Sequence, residues 1–362
     1  WVDDARLVVL NARDAADRGA AIRVQTKVVS ARREAGGWTI GLESAAGRET
    51  VKARMLVNAA GPWVDEVIRN AMGQNAAHNV RLVKGSHVVV RKLFEHDRCY
   101  IFQNADGRII FAIPYEGDYT VIGTTDEDYR ADPRDVAISD KEIDYLLAAA
   151  SEYFADPVTR EEIVWTYSGV RPLFDVGASA AQEATRDYVL KLDGDAETGA
   201  LVNVFGGKLT TYRRLAESVL DKIESVLGKR GEKWTAGSKL PGGEFEPLAF
   251  EAEVRRLHKD YAEFEAGFIR RLMRLYGTRA RAILADARSP EDLGTHFGAD
   301  LYEREVDHLI ADEWARSARD ILWRRTKLGL RVTPAEAQRL EEYVGQRLTH
   351  SPGVTPAKAG NR

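Results

Sequence analysis

The stretch Leu201-Val-Asn-Val-Phe-Gly-Gly-Lys-Leu-Thr-Thr-Tyr-Arg213 constrains the fold more than any other part of the chain. Leu201 to Phe205 is an apolar run of strand length. Gly206 and Gly207 break it. A helical stripe follows at once through Leu209, Tyr212, Leu215, Ala216, Val219, Leu220, Ile223 and Leu227. Strand, Gly-Gly and helix in this order build an α/β layer whose turn brings a ligand close to backbone N–H groups at a helix start. Such an end carries about half a positive charge, so it suits a group that is, or becomes, anionic. Lys208 adds a full charge at the same place. A plain βα turn whose glycines only save space would give the same local pattern.

With 362 residues the chain has room for two or three domains and a large core. Its 44% hydrophobic and 30% charged residues are ordinary for a soluble globular protein. A net charge of −4 supplies no basic field, so no nucleic-acid partner is expected. Cys99 is the single cysteine, which excludes an internal disulfide and a cysteine-cluster metal site. No apolar run approaches the roughly 18 residues of a membrane span, and no signal peptide is visible. The chain opens on Trp1 and runs into an amphipathic helix, Asp4 to Arg18, with Leu7, Leu10, Ala15 and Ala16 as its inner side. This reads as a chain whose N-terminal part lies outside it. Ser351 to Arg362 reads as a disordered tail.

After Gly19, Ala21 to Ser30 is expected to be a short strand and an extended segment. Trp38 to Glu43 and Glu49 to Ala53 continue it as a meander, with turns at Gly36-Gly37 and Gly47. Met55 to Asn58 is a buried strand that ends in Ala59-Ala60-Gly61-Pro62, where low bulk lets a ligand or another backbone come close. A helix from Trp63 to Met72 follows. Arg81 to Val90, Tyr100 to Gln103, Arg108 to Pro114 and Tyr119 to Gly123 read as consecutive strands of an antiparallel sheet, with hairpin signals at Ala105-Asp106-Gly107 and Glu116-Gly117-Asp118. A helix from Asp140 to Phe154 interrupts them, capped by Ser139 with Glu142 at capping-box spacing. Strands return at Ile163 to Leu173 and Tyr188 to Leu192. Beyond Leu240-Pro-Gly-Gly243 the pattern is helical from Phe250 to Tyr343, with apolar stripes at Phe268, Leu272 and Leu275 and at Leu301, Val306, Leu309 and Ile310.

His87, Arg171, Arg186 and Lys208 are the candidate chemical groups, each at a strand end or turn. A charge inside an apolar strand is costly unless it is paired or faces a ligand. Arg171, between Val170 and Pro172-Leu173-Phe174, is the clearest case. Two arginines and a lysine converging would suit a phosphate or carboxylate. Each also has a structural reading: Arg171 bridging to a buried aspartate, Arg186 on a strand surface, His87 satisfied in the core, Lys208 reaching to solvent. Thr124-Thr-Asp-Glu-Asp-Tyr129 is acidic but lacks EF-hand spacing, so no metal is expected. Trp323-Arg-Arg-Thr-Lys327 reads as a solvated helix face or a contact for anionic lipid or a partner.

Taken together and in order, Leu56-Val-Asn-Ala-Ala-Gly-Pro-Trp63, Lys84-Gly-Ser-His87, Ile122-Gly-Thr-Thr-Asp126, Tyr167-Ser-Gly-Val-Arg-Pro-Leu173, Thr185-Arg-Asp-Tyr188, Phe205-Gly-Gly-Lys-Leu-Thr-Thr-Tyr212 and Asp320-Ile-Leu-Trp-Arg-Arg-Thr-Lys-Leu-Gly-Leu330 closely resemble the FAD-dependent, quinone-reducing sn-glycerol-3-phosphate dehydrogenases of aerobic bacteria. The resemblance runs from about Asp3 to about Tyr343. It implies an α/β plus α architecture: a glutathione-reductase-like FAD domain, an antiparallel-sheet substrate domain and a C-terminal all-helical domain. Here these would be residues 1–75 with 196–234, residues 76–195 and residues 235–348, followed by a tail at 349–362. The family's N-terminal βαβ unit, whose Gly-rich loop holds the FAD pyrophosphate, would precede Trp1, together with one arginine of the substrate site. The chain alone is therefore expected to bind FAD poorly.

By the resemblance, Arg171, Arg186 and Lys208 match active-site basic residues and His87 the histidine beside the flavin. Ala60, Gly61 and the turn Gly206, Gly207, Lys208, Leu209 and Thr210 match FAD contacts, and Val28 a contact on the adenine side. The implied reaction oxidises glycerol 3-phosphate to dihydroxyacetone phosphate by hydride transfer to FAD, with electrons passed to a membrane quinone. His87 is the candidate base or hydroxyl-orienting group, Arg171 and Arg186 bind phosphate or polarise the ketone oxygen, and Lys208 stabilises the reduced flavin. The protein would be peripheral to the cytoplasmic face of the bacterial inner membrane, or cytoplasmic, and a homodimer is allowed. Rivals are a glycerol-3-phosphate oxidase, a relative acting on amines, and an inactive truncated chain.

Overall fold

A computed structural model describes residues 2–73, 79–175 and 187–350. The chain divides into two compact units, Trp1–Val24 with Gly237–Arg362, and Gln25–Ala236.

The first helix, α1 (Asp4–Asp17), is capped by the Asp3 carboxylate, which accepts from Arg6 N at 3.1 Å. It groups with residues 237–362 in the first of these units, whereas the resemblance assigns residues 1–75 to the FAD domain. Its buried residues are Arg6 and Val9, whereas Leu7 and Leu10 are half-exposed. Electrostatics explains the difference. Asp3 receives Lys327 Nζ at 2.7 Å, Arg6 forms a two-pronged bond with Glu313, and Asp17 receives Arg279 at 2.8 Å.

The strand-rich unit opens with the antiparallel meander β1 (Lys27–Glu34), β2 (Gly37–Ser44) and β3 (Gly47–Ala53). Ile22 and Val24 fall outside the first strand, which starts after the positive-φ residue Gln25. Strand β4 (Met55–Asn58) follows. Gly61–Trp63 forms a tight 3-10 turn with Pro62 in it, then α2 (Val64–Glu66) and a π turn (Val67–Ala71) replace the regular helix expected there.

The chain then lays down β5 (Val80–Arg91), β6 (Tyr100–Gln103), β7 (Ile109–Tyr115), β8 (Tyr119–Gly123) and β9 (Glu127–Asp128). Helix α3 (Asp140–Ser151) precedes β10 (Ile163–Phe174). These strands form one antiparallel sheet in the order β10-β5-β8-β7-β6, with β9 on β5. Period-two alternation sorts its residues onto two faces. Val88, Val90, Ile110, Ala112 and Ile122 lie under Leu146, Leu147, Ala149 and Ala150 of α3. His87 and Gly85 alternate onto the opposite face.

The third sheet joins β11 (Val189–Asp193), β12 (Ala200–Phe205) and β4, with β12 and β4 parallel from Ala200↔Met55 to Asn203↔Asn58. Every residue of β12 is buried. Strand β4, expected to be buried, is at the edge of this order among the described residues, and Val57 is 37% exposed. Helix α4 (Tyr212–Leu227) packs Leu215, Val219 and Ile223 on Val202 and Val204.

The helical unit comprises α5 (Phe250–Asp260), α6 (Ala266–Tyr276), α7 (Ala280–Leu284), α8 (Glu303–Asp312), a π segment (Asp320–Arg325) and α9 (Pro334–His350). The sequence stripes form its core: Leu272, Leu301, Val306 and Leu309 are fully buried and Phe268 and Leu275 nearly so. The Arg-rich segment is neither a solvated face nor a free basic patch. Arg325 donates to Glu313 O at 2.7 Å, and Lys327 is held by Asp3. No helix of the described residues is long and apolar enough to cross a membrane.

Candidate active site

The Arg171 guanidinium is held by one short loop. Nη1 donates to Asp126 Oδ1 at 2.5 Å and to Thr125 O at 3.4 Å, and Nη2 donates to Thr124 Oγ1 at 3.0 Å. The ion pair is half-buried. Asp126 and Asp128, a weak cation-site signal in the sequence, are instead paired with arginines, the second with Arg81 at 2.5 Å.

Antiparallel register then sets Tyr167 opposite His87 and Gly169 opposite Gly85. The Tyr167 and His87 rings stack with centroids 4.5 Å apart and planes 6° from parallel. On its other flank the imidazole lies over Gly123, where any Cβ would collide with it. Gly85 likewise leaves space that the Arg171 guanidinium fills. Glycines inside strands mark close approaches, and that is the sequence signal for both positions. The motifs do not by themselves mark Gly85, Gly123, Tyr167, Thr124 or Asp126 as site residues.

His87 Nδ1 is sealed from solvent and has no hydrogen-bond partner among the described residues. Burial first, and the Arg171 charge second, push the imidazole down to about 4. His87 is therefore neutral near pH 7.

The Gly-Gly turn adopts positive φ at both glycines, 71° and 106°. A Cβ at Gly206 would sit 2.9 Å from Asp187 O and 3.6 Å from Pro172 O, so this turn abuts the residue next to Arg171. Residues Gly207, Lys208, Leu209 and Thr210 are exposed. Leu209–Thr211 is a 3-10 turn, so the α-helix begins at Tyr212, three residues later than the apolar stripe suggests. Gly61 also has positive φ, 54°, and the Gly61–Trp63 turn packs against β10. Asn58 Nδ2 donates to Asn203 Oδ1 at 2.9 Å, which pins together the two parallel strands that end in these turns. The C-terminal ends of parallel strands are where open α/β sheets take ligands. Bare backbone at Gly61 and at Gly206-Gly207, with Lys208 beside it, fits the anionic edge of a flavin.

Val28, half-buried in β1, packs with Leu56 of β4 on the cluster of Ala31, Trp38, Ile40, Leu42 and Leu201. It is thus next to the parallel pair. Arg186 lies outside the described residues. The structure brings His87, Arg171 and the Gly206 turn together around β5 and β10.

Behind the sheet lies a residue whose role its spacing in the sequence understates. Glu142 is 1% exposed and accepts from Lys84 Nζ at 2.7 Å, Ser86 Oγ at 2.8 Å and Thr125 Oγ1 at 2.8 Å. Burial alone would raise its carboxyl, but Lys84, the Ser139 backbone, Ser86 and Thr125 hold it down at about 2.

The chain matches the family described as FAD dependent oxidoreductase over residues 1–213, and that described as the C-terminal domain of alpha-glycerophosphate oxidase over residues 234–352. It is 47% identical over 347 residues to the D-erythritol 1-phosphate dehydrogenase of Brucella abortus, covering 95% of this chain and 68% of that protein. It is 45% identical over 357 residues to the glycerol-3-phosphate dehydrogenase of Pseudomonas aeruginosa, covering 98% and 70%. Against the aerobic glycerol-3-phosphate dehydrogenase of Escherichia coli the figures are 41% over 355 residues, covering 96% and 71%. The crystal structure of the glycerol-3-phosphate dehydrogenase from Bacillus halodurans complexed with FAD superimposes with a TM-score of 0.77 at 27% identity, covering 99% of this chain and 75% of that one.

Proposed function

The chain belongs to the family of FAD-dependent glycerol-3-phosphate dehydrogenases, and from that premise we propose that the complete protein oxidises the secondary alcohol of sn-glycerol 3-phosphate to the ketone of dihydroxyacetone phosphate and delivers the electrons to a membrane quinone. The observation that carries the reading is the Arg171 fork set on the same two strands as a neutral, stacked His87, beside the Gly206-Gly207 turn. FAD, when bound, supplies the hydride-accepting chemistry. Ala60, Gly61 and the turn from Gly206 to Thr210 would hold it, and Val28 would meet its adenine side.

Arg171, with Arg186, binds the phosphate, because a planar guanidinium matches two phosphate oxygens at once. His87 Nε2 takes or orients the hydroxyl proton while Tyr167 and Gly123 fix the ring plane. Lys208 and the start of α4 place positive charge where the cofactor gains negative charge. Membrane association in this reading is peripheral. The relatives' names are those of dehydrogenases, which supports an acceptor other than oxygen.

The deciding experiment adds glycerol 3-phosphate anaerobically to the complete protein loaded with FAD. The flavin absorbance is expected to bleach, and a soluble quinone to restore it. No bleaching sinks the substrate reading. Peroxide formation without quinone reduction sinks the acceptor reading in favour of an oxidase. A four-carbon polyol phosphate is the second reading, favoured by the 47% identity to the Brucella abortus enzyme. Bleaching that is much faster with D-erythritol 1-phosphate would establish it.

A pH profile tests His87. In the free enzyme the neutral imidazole persists down to about pH 4, so protonation of His87 costs kcat/KM nothing at the ordinary histidine pKa of about 6.5, and a limb near pH 6 from the second ionisation of the substrate phosphate is one that His87→Gln leaves in place. The His87 limb is expected below pH 5. The kcat limb is expected higher, because substrate phosphate on Arg171 offsets the charge that depresses His87. A kcat/KM limb near pH 6.5 that disappears in His87→Gln would refute the neutral assignment.

A further inference from the structure

Glu142 receives more hydrogen bonds than its helix cap requires. The capping box uses Oε2, which accepts from Ser139 N and Ser139 Oγ, each at 2.8 Å. Oε1 serves the sheet instead. It accepts from Ser86 Oγ and Thr125 Oγ1, each at 2.8 Å. Thr125 Oγ1 in turn accepts from Ser86 N at 2.9 Å, and Ser86 Oγ meets Ser168 Oγ on β10 at 2.8 Å. Lys84, 8% exposed, completes the set by giving its ammonium to Oε2. One carboxylate therefore ties together the back of β5, its neighbour β10 and the loop after β8.

The elements it ties are those that carry the candidate chemistry on the other face. His87 follows Ser86 directly. Arg171 is held by the three consecutive residues Thr124, Thr125 and Asp126, and the middle one is fastened by its hydroxyl to Glu142. Thr125 is 1% exposed and Ser86 is fully buried, so no water competes for these bonds. Because α3 lies behind the sheet, Glu142 touches neither His87 nor Arg171.

We propose that Glu142 is a positioning residue for the phosphate side of the substrate site, acting through the Thr125 hydroxyl on the loop that aims the Arg171 guanidinium. The inference rests on the reading of Arg171 as a phosphate-binding group. It gives the buried Lys84–Glu142 pair a purpose beyond stability: it fixes the carboxylate whose free oxygen holds the loop.

Thr125→Val is the informative variant, because it cuts this link, together with the bond from Ser86 N, and leaves the Lys84–Glu142 pair intact. In the complete protein loaded with FAD it is expected to raise KM for glycerol 3-phosphate about tenfold, the scale of the one buried hydrogen bond that fastens the Arg171 loop to Glu142. Competitive inhibition by inorganic phosphate should weaken by the same factor, with flavin content unchanged and the loss falling on KM rather than kcat. Thr125→Ser should restore both constants. A merely structural threonine would lower thermal stability without moving phosphate inhibition. If Thr125→Val leaves KM and phosphate inhibition as they were while Arg171→Ala weakens both, the proposal is overturned and the reading of Arg171 stands. If Arg171→Ala also leaves both unchanged, the phosphate reading falls and takes the proposal with it.

Discussion

Arg171→Ala in the complete protein lowers kcat/KM for glycerol 3-phosphate by at least about thirtyfold, equivalent to about 2 kcal/mol. The expectation follows from the way the side chain is held. Among the described residues, Asp126, Thr125 O and Thr124 take three of the five guanidinium donors and leave two for a ligand. The group is only half-buried, so a bound phosphate completes its desolvation, and charge-assisted bonds gain strength there. Removal also takes the Arg171 charge away from Asp126 next to an anionic substrate, which adds repulsion to the lost attraction. Arg171→Lys should recover only part of the loss, because an ammonium keeps the charge but not the planar fork. Steady-state kinetics at fixed ionic strength gives the answer. A kcat/KM within threefold of the parent would remove Arg171 from the phosphate site and leave it as a strut for the Thr124–Asp126 loop.

Arg171 also shows what a linear reading can and cannot reach. The cost of a charge within an apolar strand implies that it is engaged with something, and that inference needs no partner. The partner, Asp126, lies 45 residues away on another strand's exit loop, where the sequence shows it only as part of an acidic run. Local spacing carries a local device and misses the tertiary one built on it. Ser139 and Glu142 form the capping box that the three-residue spacing announces. The same Glu142 reaches Lys84, 58 residues back, and nothing in either segment connects them. The β-strands around His87 are legible because alternation and hairpin turns are local. The irregular helix after Pro62 is not, since 3-10, α and π turns share one apolar spacing to within a residue.

Helix α1 is the instructive failure. Its apolar spacing points the leucines inward, but the innermost side chain is Arg6, 5% exposed, because its counter-charge Glu313 is buried 307 positions later. Hydrophobic periodicity scores an arginine as outward by default. It cannot register a buried ion pair whose halves are at opposite ends of the chain.

That pair supports the second large expected effect. Glu313→Gln destabilises the helical unit by about 3–5 kcal/mol, the usual cost of leaving a buried charge without its partner. Among the described residues, two arginines and a histidine lie around this one carboxylate group. Arg6 grips it through both guanidinium arms, Arg325 Nε is 3.7 Å from Oε2, and His308 Nε2 is 3.8 Å from Oε1. Burial works against the Arg6 charge, but Glu313 more than offsets it and Arg6 is held above the ordinary arginine range. For Arg325 burial prevails, and its guanidinium is pushed below that range despite the help of Glu313. Glutamine keeps the shape and removes the charge, so Arg6 and Arg325 then repel in a site closed to water. The measurable consequences are a lower denaturant midpoint for the helical unit and faster proteolysis near Gly19, where α1 ends. Arg6→Met combined with Glu313→Leu should regain part of the lost stability, because it removes the Arg6–Glu313 pair and keeps its volume while Arg325 still loses its carboxylate neighbour. A loss below about 1 kcal/mol in Glu313→Gln would show that the pair is not what holds α1 to the helices that follow about 250 residues later.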